Sequence, residues 1–398
     1  MDNCQHILYL PGLGYEFNNA SVKTYAGRFM KALDEQHPNA SLRFLLKSEE
    51  ETLASGDTVT VVSVLEDNGQ QQQERYRFYE FRYAPWLTAQ WQQSSPLRQY
   101  LSLSFTLLGR LPLALRSLLG YAAHAPLTAR LQGAYFLVLF FMMSLVLFLL
   151  APAALLAATE LLAGYFPQLK EWLSGQLQWA DQLSHWAQGL LVIFTGLALV
   201  KGDTTSVVKT LTGEMMSAHH YLSFAQQRLV IQGRLSALLE HIAETRNQAV
   251  AIHAYSFGSI IALDNLFPHQ GPVPVRVCQT VRHLVTIGCP LDFINTYWPH
   301  YLNRSPKTPL PLESWTNIHS PLDVLSSQLF RPGQNLPFAL APQTHCEDLC
   351  YRLMANEQLG PWQILTLVGL KSHGGYWDPD PQAGSCLQLL TPRLLPGE

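Results

Sequence analysis

The sequence predicts an α/β fold in which a mostly parallel sheet is flanked by helices and interrupted by an inserted α-helical transmembrane hairpin. Short apolar runs that end in turn residues alternate with helical patterns, which is typical of a parallel sheet. Residues 134–159 form an uncharged run of 26 residues, although only 14% of the 398 residues are charged overall. We therefore predict a domain in two parts, residues 1–95 and 205–398, around a membrane-associated insertion of residues 96–204.

The amino-terminal part begins with a short apolar strand over residues 5–10. Residues 20–36 follow the pattern of a helix. Residues 58–65 and 75–83 read as two strands joined by a polar stretch that contains an Asn-Gly turn. Residues 97–131 contain leucines, aromatics and arginines but no acids, which favours an amphipathic helix at a membrane surface.

A strand, a sharp turn and a helix follow one another within residues 249–265, after a long helix predicted over residues 215–246. The turn, Ala-Tyr-Ser-Phe-Gly, has small residues two positions either side of Ser256, as a tight strand-to-helix turn needs. Such a turn exposes the serine oxygen at the positive end of a helix, where it can act as a nucleophile. The five-residue pattern also arises by chance, so an ordinary turn is the alternative.

Two further side chains complete a catalytic set with Ser256. Asp323 lies in a loop beyond a predicted strand, and His373 lies in a glycine-rich loop beyond another; the strands predicted after the serine helix are residues 283–290, 315–319 and 365–370. Parallel sheets place ligand sites at the carboxyl ends of their strands. A serine needs a neutral imidazole to take its proton and a carboxylate to orient that imidazole.

Other residues could fill the same roles. His319 and His345 are alternative bases, and Asp292 is an alternative acid. Asp264 lies on the helix that follows the serine, and we expect it to point away from the site.

The loop after the first strand supplies groups that could bind an oxyanion. Residues 11–14, Pro-Gly-Leu-Gly, can turn backbone N–H groups toward the serine. We predict that the N–H groups of Leu13 and Phe257 hold the oxygen that becomes negative when a carbonyl is attacked. The alternative is a plain glycine-rich turn.

Together these motifs resemble the α/β-hydrolase superfamily, nearest to its lipase- and esterase-like members. The resemblance covers about residues 1–95 and 205–398, and it implies an α/β-hydrolase fold. It also implies that Ser256 is the nucleophile, Asp323 the acid and His373 the base. The turn departs from the superfamily pattern in two ways, since an alanine replaces the usual first glycine and a tyrosine stands where many lipases have histidine. Because of these departures, the resemblance does not define the class of substrate for this chain.

The uncharged run predicts a membrane span. At about 1.5 Å per residue, residues 134–159 would reach roughly 39 Å, more than the roughly 30 Å of a hydrocarbon core. Residues 5–10 and 249–254 belong to one predicted sheet, so both ends of the insertion lie on the same side and crossings are even in number. We therefore predict a second span over residues 183–200.

Charge gives the predicted hairpin an orientation. The segment before the first span is basic and lacks acids, which places the flanks in the cytoplasm; its basic residues are Arg98, Arg110, Arg116 and Arg130. Six cysteines without a signal peptide agree with a reducing compartment. The sequence thus predicts an integral membrane protein, with its catalytic domain on the cytoplasmic side of a bacterial inner membrane.

The predicted function is that of a serine hydrolase that cleaves an ester or thioester through an acyl-enzyme, without a cofactor. The predicted membrane location favours acyl lipids as substrates and membrane lipids as partners, ahead of acyl-CoA or acylated protein. Cys346 and Cys350 do not have the Cys-x-x-Cys spacing of zinc sites, so no metal is predicted. A net charge of −3 without a basic stripe disfavours nucleic acid, and nothing indicates a protein partner. A non-catalytic membrane-anchored scaffold and an acyltransferase are the alternatives.

Overall fold

The computed structural model describes most of the chain outside the central insertion. The described ranges are residues 4–13, 21–36, 43–53, 56–119, 204–246, 248–269, 273–299, 301–302, 309–321, 323–331, 338–351, 373–377 and 385–394, with a few isolated positions between them. The chain divides into two compact units, one formed by Met1–Ala84 and Ala225–Glu398 and the other by Pro85–Phe224.

The first unit is built on one sheet of eight strands. The strands are β1 (Gln5–Leu10), β2 (Arg43–Thr52), β3 (Thr58–Asp67), β4 (Gln72–Glu80), β5 (Val250–Tyr255), β6 (Val281–Ile287), β7 (Ser314–His319) and β8 (His345–Cys350). Their order is β2-β3-β4-β1-β5-β6-β7-β8. The pairs from β4 to β8 are parallel, whereas β2 and β3 add an antiparallel edge. The predicted α/β class with a mostly parallel sheet is confirmed.

The first unit also contains six helices and two 3₁₀ turns among its described residues. They are α1 (Ser21–Gln36), α5 (Ala225–Arg246), α6 (Phe257–Leu266), α7 (Val275–Thr280), α8 (Leu291–Tyr297) and α9 (Thr391–Leu394), with 3₁₀ turns at Gly375–Trp377 and Cys386–Leu389. Helix α2 (Ala84–Gln92) begins at the boundary between the units, and the second unit contains α3 (Pro96–Leu118) and α4 (Thr204–Ser223). The single helix predicted over residues 215–246 is therefore two helices, α4 and α5, separated at Phe224.

The predicted strands agree with the sheet where the structure describes them. The segments predicted as strands at residues 5–10, 58–65, 75–83, 283–290 and 315–319 correspond to β1, β3, β4, β6 and β7. The strand predicted over residues 365–370 lies outside the described residues. Strands β2 and β8 are not among the predicted strands. They lie at the two edges of the described sheet, and most of their side chains are exposed or half-buried, so neither carries the apolar pattern of a buried strand.

The middle of the sheet is buried on both faces. Every residue of β5 is buried, as expected for a parallel strand covered by helices on each side. An aromatic cluster packs beneath it, with the rings of Tyr9 and Tyr25 stacked at 4.2 Å and Phe29 edge-on to Phe78. Within this core the Tyr25 hydroxyl hydrogen-bonds to Nδ1 of His253 at 2.6 Å, and burial lowers the pKa of His253 to about 3.

The second unit does not support the predicted membrane hairpin. Apart from three isolated positions in the first, the predicted spans, residues 134–159 and 183–200, lie outside the described residues. No helix in the described part of the chain combines the length and the apolar character that a membrane crossing requires. This finding contradicts the prediction of an integral membrane protein of a bacterial inner membrane with a cytoplasmic catalytic domain, and we correct it.

The sheet offers one physical reason for the error. The parallel pairing of β1 with β5 is present, but it requires only an even number of crossings, and zero is also an even number. The arginine-rich segment that was predicted as an amphipathic helix at a membrane surface contains helix α3, with Arg98, Arg110 and Arg116. Leu103 and Leu107 of this helix are buried within the protein.

The turn between β5 and α6 is the most constrained part of the sheet. Ser256 has φ 52° and ψ −125°, and it is the only described residue other than glycine with positive φ. A Cβ on Gly258 would lie 2.5 Å from the carbonyl oxygens of both Leu10 and Pro11. The small residue predicted at this position is thus required by the end of β1, whose backbone passes against the first turn of α6.

We expect Gly258→Ala to destabilise the protein by about 3 kcal/mol or more, because two backbone carbonyls cannot move aside without shifting β1. Gly233→Ala is the matched control, since Gly233 lies within α5 and an added methyl there would have nothing within 4 Å of it. That change should stabilise the helix by roughly 0.5–1 kcal/mol. Denaturant unfolding of both variants would measure the difference, and equal stabilities would contradict the proposed contact.

Candidate active site

Ser256 lies directly after β5, at the carboxyl edge of the sheet. Its Oγ is 2.6 Å from Nε2 of His373, which forms part of the described turn of residues 373–377. Only 9% of the Ser256 surface is exposed, less than the sequence suggested, because the imidazole lies against the hydroxyl. A positive φ at a serine stores local strain, and such strain is concentrated at functional sites.

Asp323 lies on the other side of the same imidazole. Its Oδ2 is 2.8 Å from Nδ1 of His373, and its side chain is fully buried. Asp323 follows β7 in a tight turn, where its Oδ1 accepts the backbone N–H of Leu325 at 3.0 Å. The structure therefore brings together the three side chains that the sequence selected, in the order Ser256, His373, Asp323.

Two tyrosines that sequence reasoning did not select support this arrangement. The hydroxyl of Tyr376 accepts the backbone N–H of Ser320 at 3.0 Å and donates to Oδ2 of Asp323 at 3.1 Å. The hydroxyl of Tyr255 donates to the backbone carbonyl of His373, and its ring stacks on the imidazole at 5.5 Å. Burial raises the pKa of both phenols well above the usual value, so both hydroxyls stay protonated. The only sequence signal was their position, one beside Ser256 and one three residues after His373.

The packing of these groups depends on Gly288, the residue after β6. Gly288 has φ 60°, and a Cβ there would lie 2.9 Å from the ring of Tyr376 and 3.4 Å from Cε1 of His373. Its backbone N–H donates to the carbonyl of Ile318 at the end of β7. In the sequence this glycine is marked only by its place near the end of the predicted strand of residues 283–290.

The alternative residues have other positions. The carboxylate of Asp292 pairs with Arg331 at 3.3 Å. Asp264 is buried on α6 and accepts a hydrogen bond from Tyr301. His319 ends β7 and His345 begins β8, whereas the imidazole that contacts the serine hydroxyl belongs to His373.

The loop after β1 lies next to the serine. A Cβ on Gly12 would be 3.0 Å from Cβ of Ser256, and the hydroxyl of Tyr83 holds the carbonyl of Pro11 at 2.7 Å. Leu13 follows Gly12 in the chain, and Phe257 is the first residue of α6. The two residues assigned to an oxyanion hole thus belong to segments in contact, and their role stays a prediction.

Within the part of the chain that the structure describes, no three His, Cys, Asp or Glu side chains are grouped so as to hold a metal ion. Comparison with protein-family models, with curated proteins and with solved structures found no match to this chain. The chemistry that this site can perform depends on the geometry of Ser256, His373 and Asp323.

We expect Gly288→Ala to destabilise the protein by about 1–2 kcal/mol more than Gly69→Ala. Both glycines have positive φ, so both variants lose about 1–2 kcal/mol to backbone strain. Only the methyl at position 288 would meet the rings of Tyr376 and His373, since nothing lies within 4 Å of the corresponding position at Gly69. Free energies of unfolding of the two variants test this, and a smaller loss for Gly288→Ala would contradict it.

Proposed function

We propose that this chain is a serine hydrolase of the α/β-hydrolase fold that cleaves an ester or thioester through an acyl-enzyme. The observation that carries the proposal is the continuous set of contacts from Ser256 Oγ to Nε2 of His373 and from Nδ1 of His373 to Oδ2 of Asp323. The serine lies in a strained turn between a parallel strand and a helix, which is the arrangement of a nucleophile elbow.

The chemistry begins at the serine hydroxyl. Ser256 Oγ attacks the carbonyl carbon of the substrate while Nε2 of His373 takes the hydroxyl proton. Asp323 stabilises the imidazolium that forms, because its buried carboxylate accepts a hydrogen bond from the Nδ1–H group without competition from bulk water. The tetrahedral intermediate then collapses, the alcohol or thiol leaves with the proton from His373, and the acyl group stays on Ser256.

Water completes the cycle. His373 removes a proton from a water molecule that attacks the acyl carbon, and the carboxylic acid is released as Ser256 recovers its proton. The N–H groups of Leu13 and Phe257 are assigned to the oxyanion in both halves of the reaction. The proximity of Gly12 to Ser256 and the position of Phe257 at the start of α6 support this assignment.

The substrate is proposed only as an acyl ester or thioester. The preference for acyl lipids rested on the predicted membrane span, and it loses its basis with that correction. A non-catalytic scaffold would not need a serine at positive φ in contact with an imidazole and a buried carboxylate, so the geometry favours catalysis. Transfer of the acyl group to an alcohol would use the same acyl-enzyme. Substrate tests would reveal it as formation of a new ester in place of a free carboxylic acid.

We expect Ser256→Ala to abolish covalent labelling by a fluorophosphonate, in which the serine oxygen displaces fluoride from phosphorus. Turnover of an activated ester should fall by about 10⁴-fold or more. His373→Ala should be nearly as damaging, and the double variant should lose little more, because the residues act as one unit. Thermal unfolding midpoints of all three variants control for misfolding. Full activity in folded Ser256→Ala would remove the proposal.

We expect Asp323→Asn and Asp292→Asn to affect different properties. Asp323→Asn removes the carboxylate that orients His373, so turnover should fall by about 10³-fold or more. Asp292→Asn breaks a pair with Arg331 and should lower the free energy of unfolding by about 1–3 kcal/mol while turnover is retained. Steady-state kinetics and denaturant unfolding on both variants separate these effects. A larger loss of turnover in Asp292→Asn would transfer the acid role to Asp292.

A further inference from the structure

The phenol of Tyr376 contacts the carboxylate oxygen that also holds the imidazole. Oδ2 of Asp323 accepts from Nδ1 of His373 at 2.8 Å and from the hydroxyl of Tyr376 at 3.1 Å. The other oxygen, Oδ1, accepts the backbone N–H of Leu325. The negative charge of a buried side chain is thus shared among three donors, of which only one is the imidazole.

The direction of the hydrogen bond from Tyr376 is fixed by its surroundings. The backbone N–H of Ser320 can only donate, so the phenol oxygen is an acceptor at that contact. The phenol proton must therefore point elsewhere, and the ionised carboxylate of Asp323 can only accept it. The ring is held in place by Tyr351, which stacks on it at 6.1 Å, and by the close approach of Gly288.

We propose that Tyr376 is a positioning residue that takes up part of the negative charge with which Asp323 stabilises the His373 imidazolium, and so sets the pH at which the site becomes active. The inference rests on the proposed serine hydrolase function. A carboxylate that already accepts a hydrogen bond on the same oxygen stabilises the imidazolium less, and this favours the neutral imidazole, which keeps its Nδ1 proton and has Nε2 free. A neutral imidazole is the form that activates Ser256.

The direct hydrogen bond to the Asp323 carboxylate distinguishes Tyr376 from the other ionisable groups near the pair. Those that face it or lie behind it among the described residues are Tyr255, Tyr351, Tyr9, Cys386 and Arg28. Burial raises the pKa of Tyr9, Tyr255 and Cys386, which keeps these groups neutral around pH 7. Burial lowers the pKa of Arg28, whose guanidinium lies over the ring of Trp377 at 5.3 Å.

The test compares two tyrosine hydroxyls in the same site. Tyr376→Phe removes the donor to the Asp323 carboxylate, whereas Tyr255→Phe removes a donor to the backbone carbonyl of His373. Both changes delete one buried hydroxyl and keep the ring. A merely structural role would therefore give similar results in the two variants.

The pH dependence of kcat/KM for an activated ester should separate them. We expect the acid limb of the profile to move up by about 0.5–1 pH unit in Tyr376→Phe, because the carboxylate then stabilises the imidazolium more strongly against loss of its Nε2 proton. In Tyr255→Phe the plateau rate should fall while the acid limb stays within about 0.2 pH unit of the wild type. An unmoved acid limb in folded Tyr376→Phe, or equal shifts in both variants, would overturn the inference.

A second measurement does not need turnover. The proton between Nδ1 of His373 and Asp323 should give a far-downfield NMR signal, which Tyr376→Phe should shift and Tyr255→Phe should leave nearly unchanged. If the wild type shows neither ester turnover nor fluorophosphonate labelling, the proposed function fails while this comparison still reports on Tyr376. If labelling and turnover are present but Tyr376→Phe shifts neither the signal nor the acid limb, only the inference about Tyr376 fails.

Discussion

The backbone at the end of β1 passes against the first turn of α6, and the position of Ser256 depends on that approach. The carbonyls of Leu10 and Pro11 occupy the space where any side chain larger than glycine at position 258 would lie. The same approach brings the loop after β1 to the serine. One contact between backbones therefore fixes both the candidate nucleophile and the segment assigned to the oxyanion.

Much of this arrangement follows from local sequence patterns. The turn at Ser256 can be predicted from the sequence because a tight strand-to-helix connection requires small residues at set positions. Asp323 could be selected because it follows an apolar run, which the structure shows as β7 of the parallel sheet; the run predicted as a strand before His373 lies outside the described residues. These inferences need only the spacing of apolar residues along the sequence and the rules of sheet topology.

Contacts between distant segments could not be predicted in this way. The hydrogen bond from Tyr376 to Asp323 and the tight fit of Gly288 against two rings join segments that are distant in the sequence. No repeating pattern in the sequence identifies Tyr376 or Gly288, because their contacts exist only in the folded protein. The membrane prediction had another basis, since it rested on the uncharged run of residues 134–159 and, for the second span alone, on a parity rule that limits only the number of crossings.

The pairing of β1 with β5 also has a consequence for how the chain folds. His6 lies opposite Val250. The centre of the sheet therefore joins a strand near the amino terminus, which is synthesised early, to a strand that is synthesised only after more than half of the chain. Such long-range pairing raises the contact order, and loop closure must precede the contacts that reward it. We therefore expect slow folding, in which β1, already paired with β4, waits with one edge unpaired until β5 emerges from the ribosome. During that interval the unpaired edge of β1 is open to aggregation.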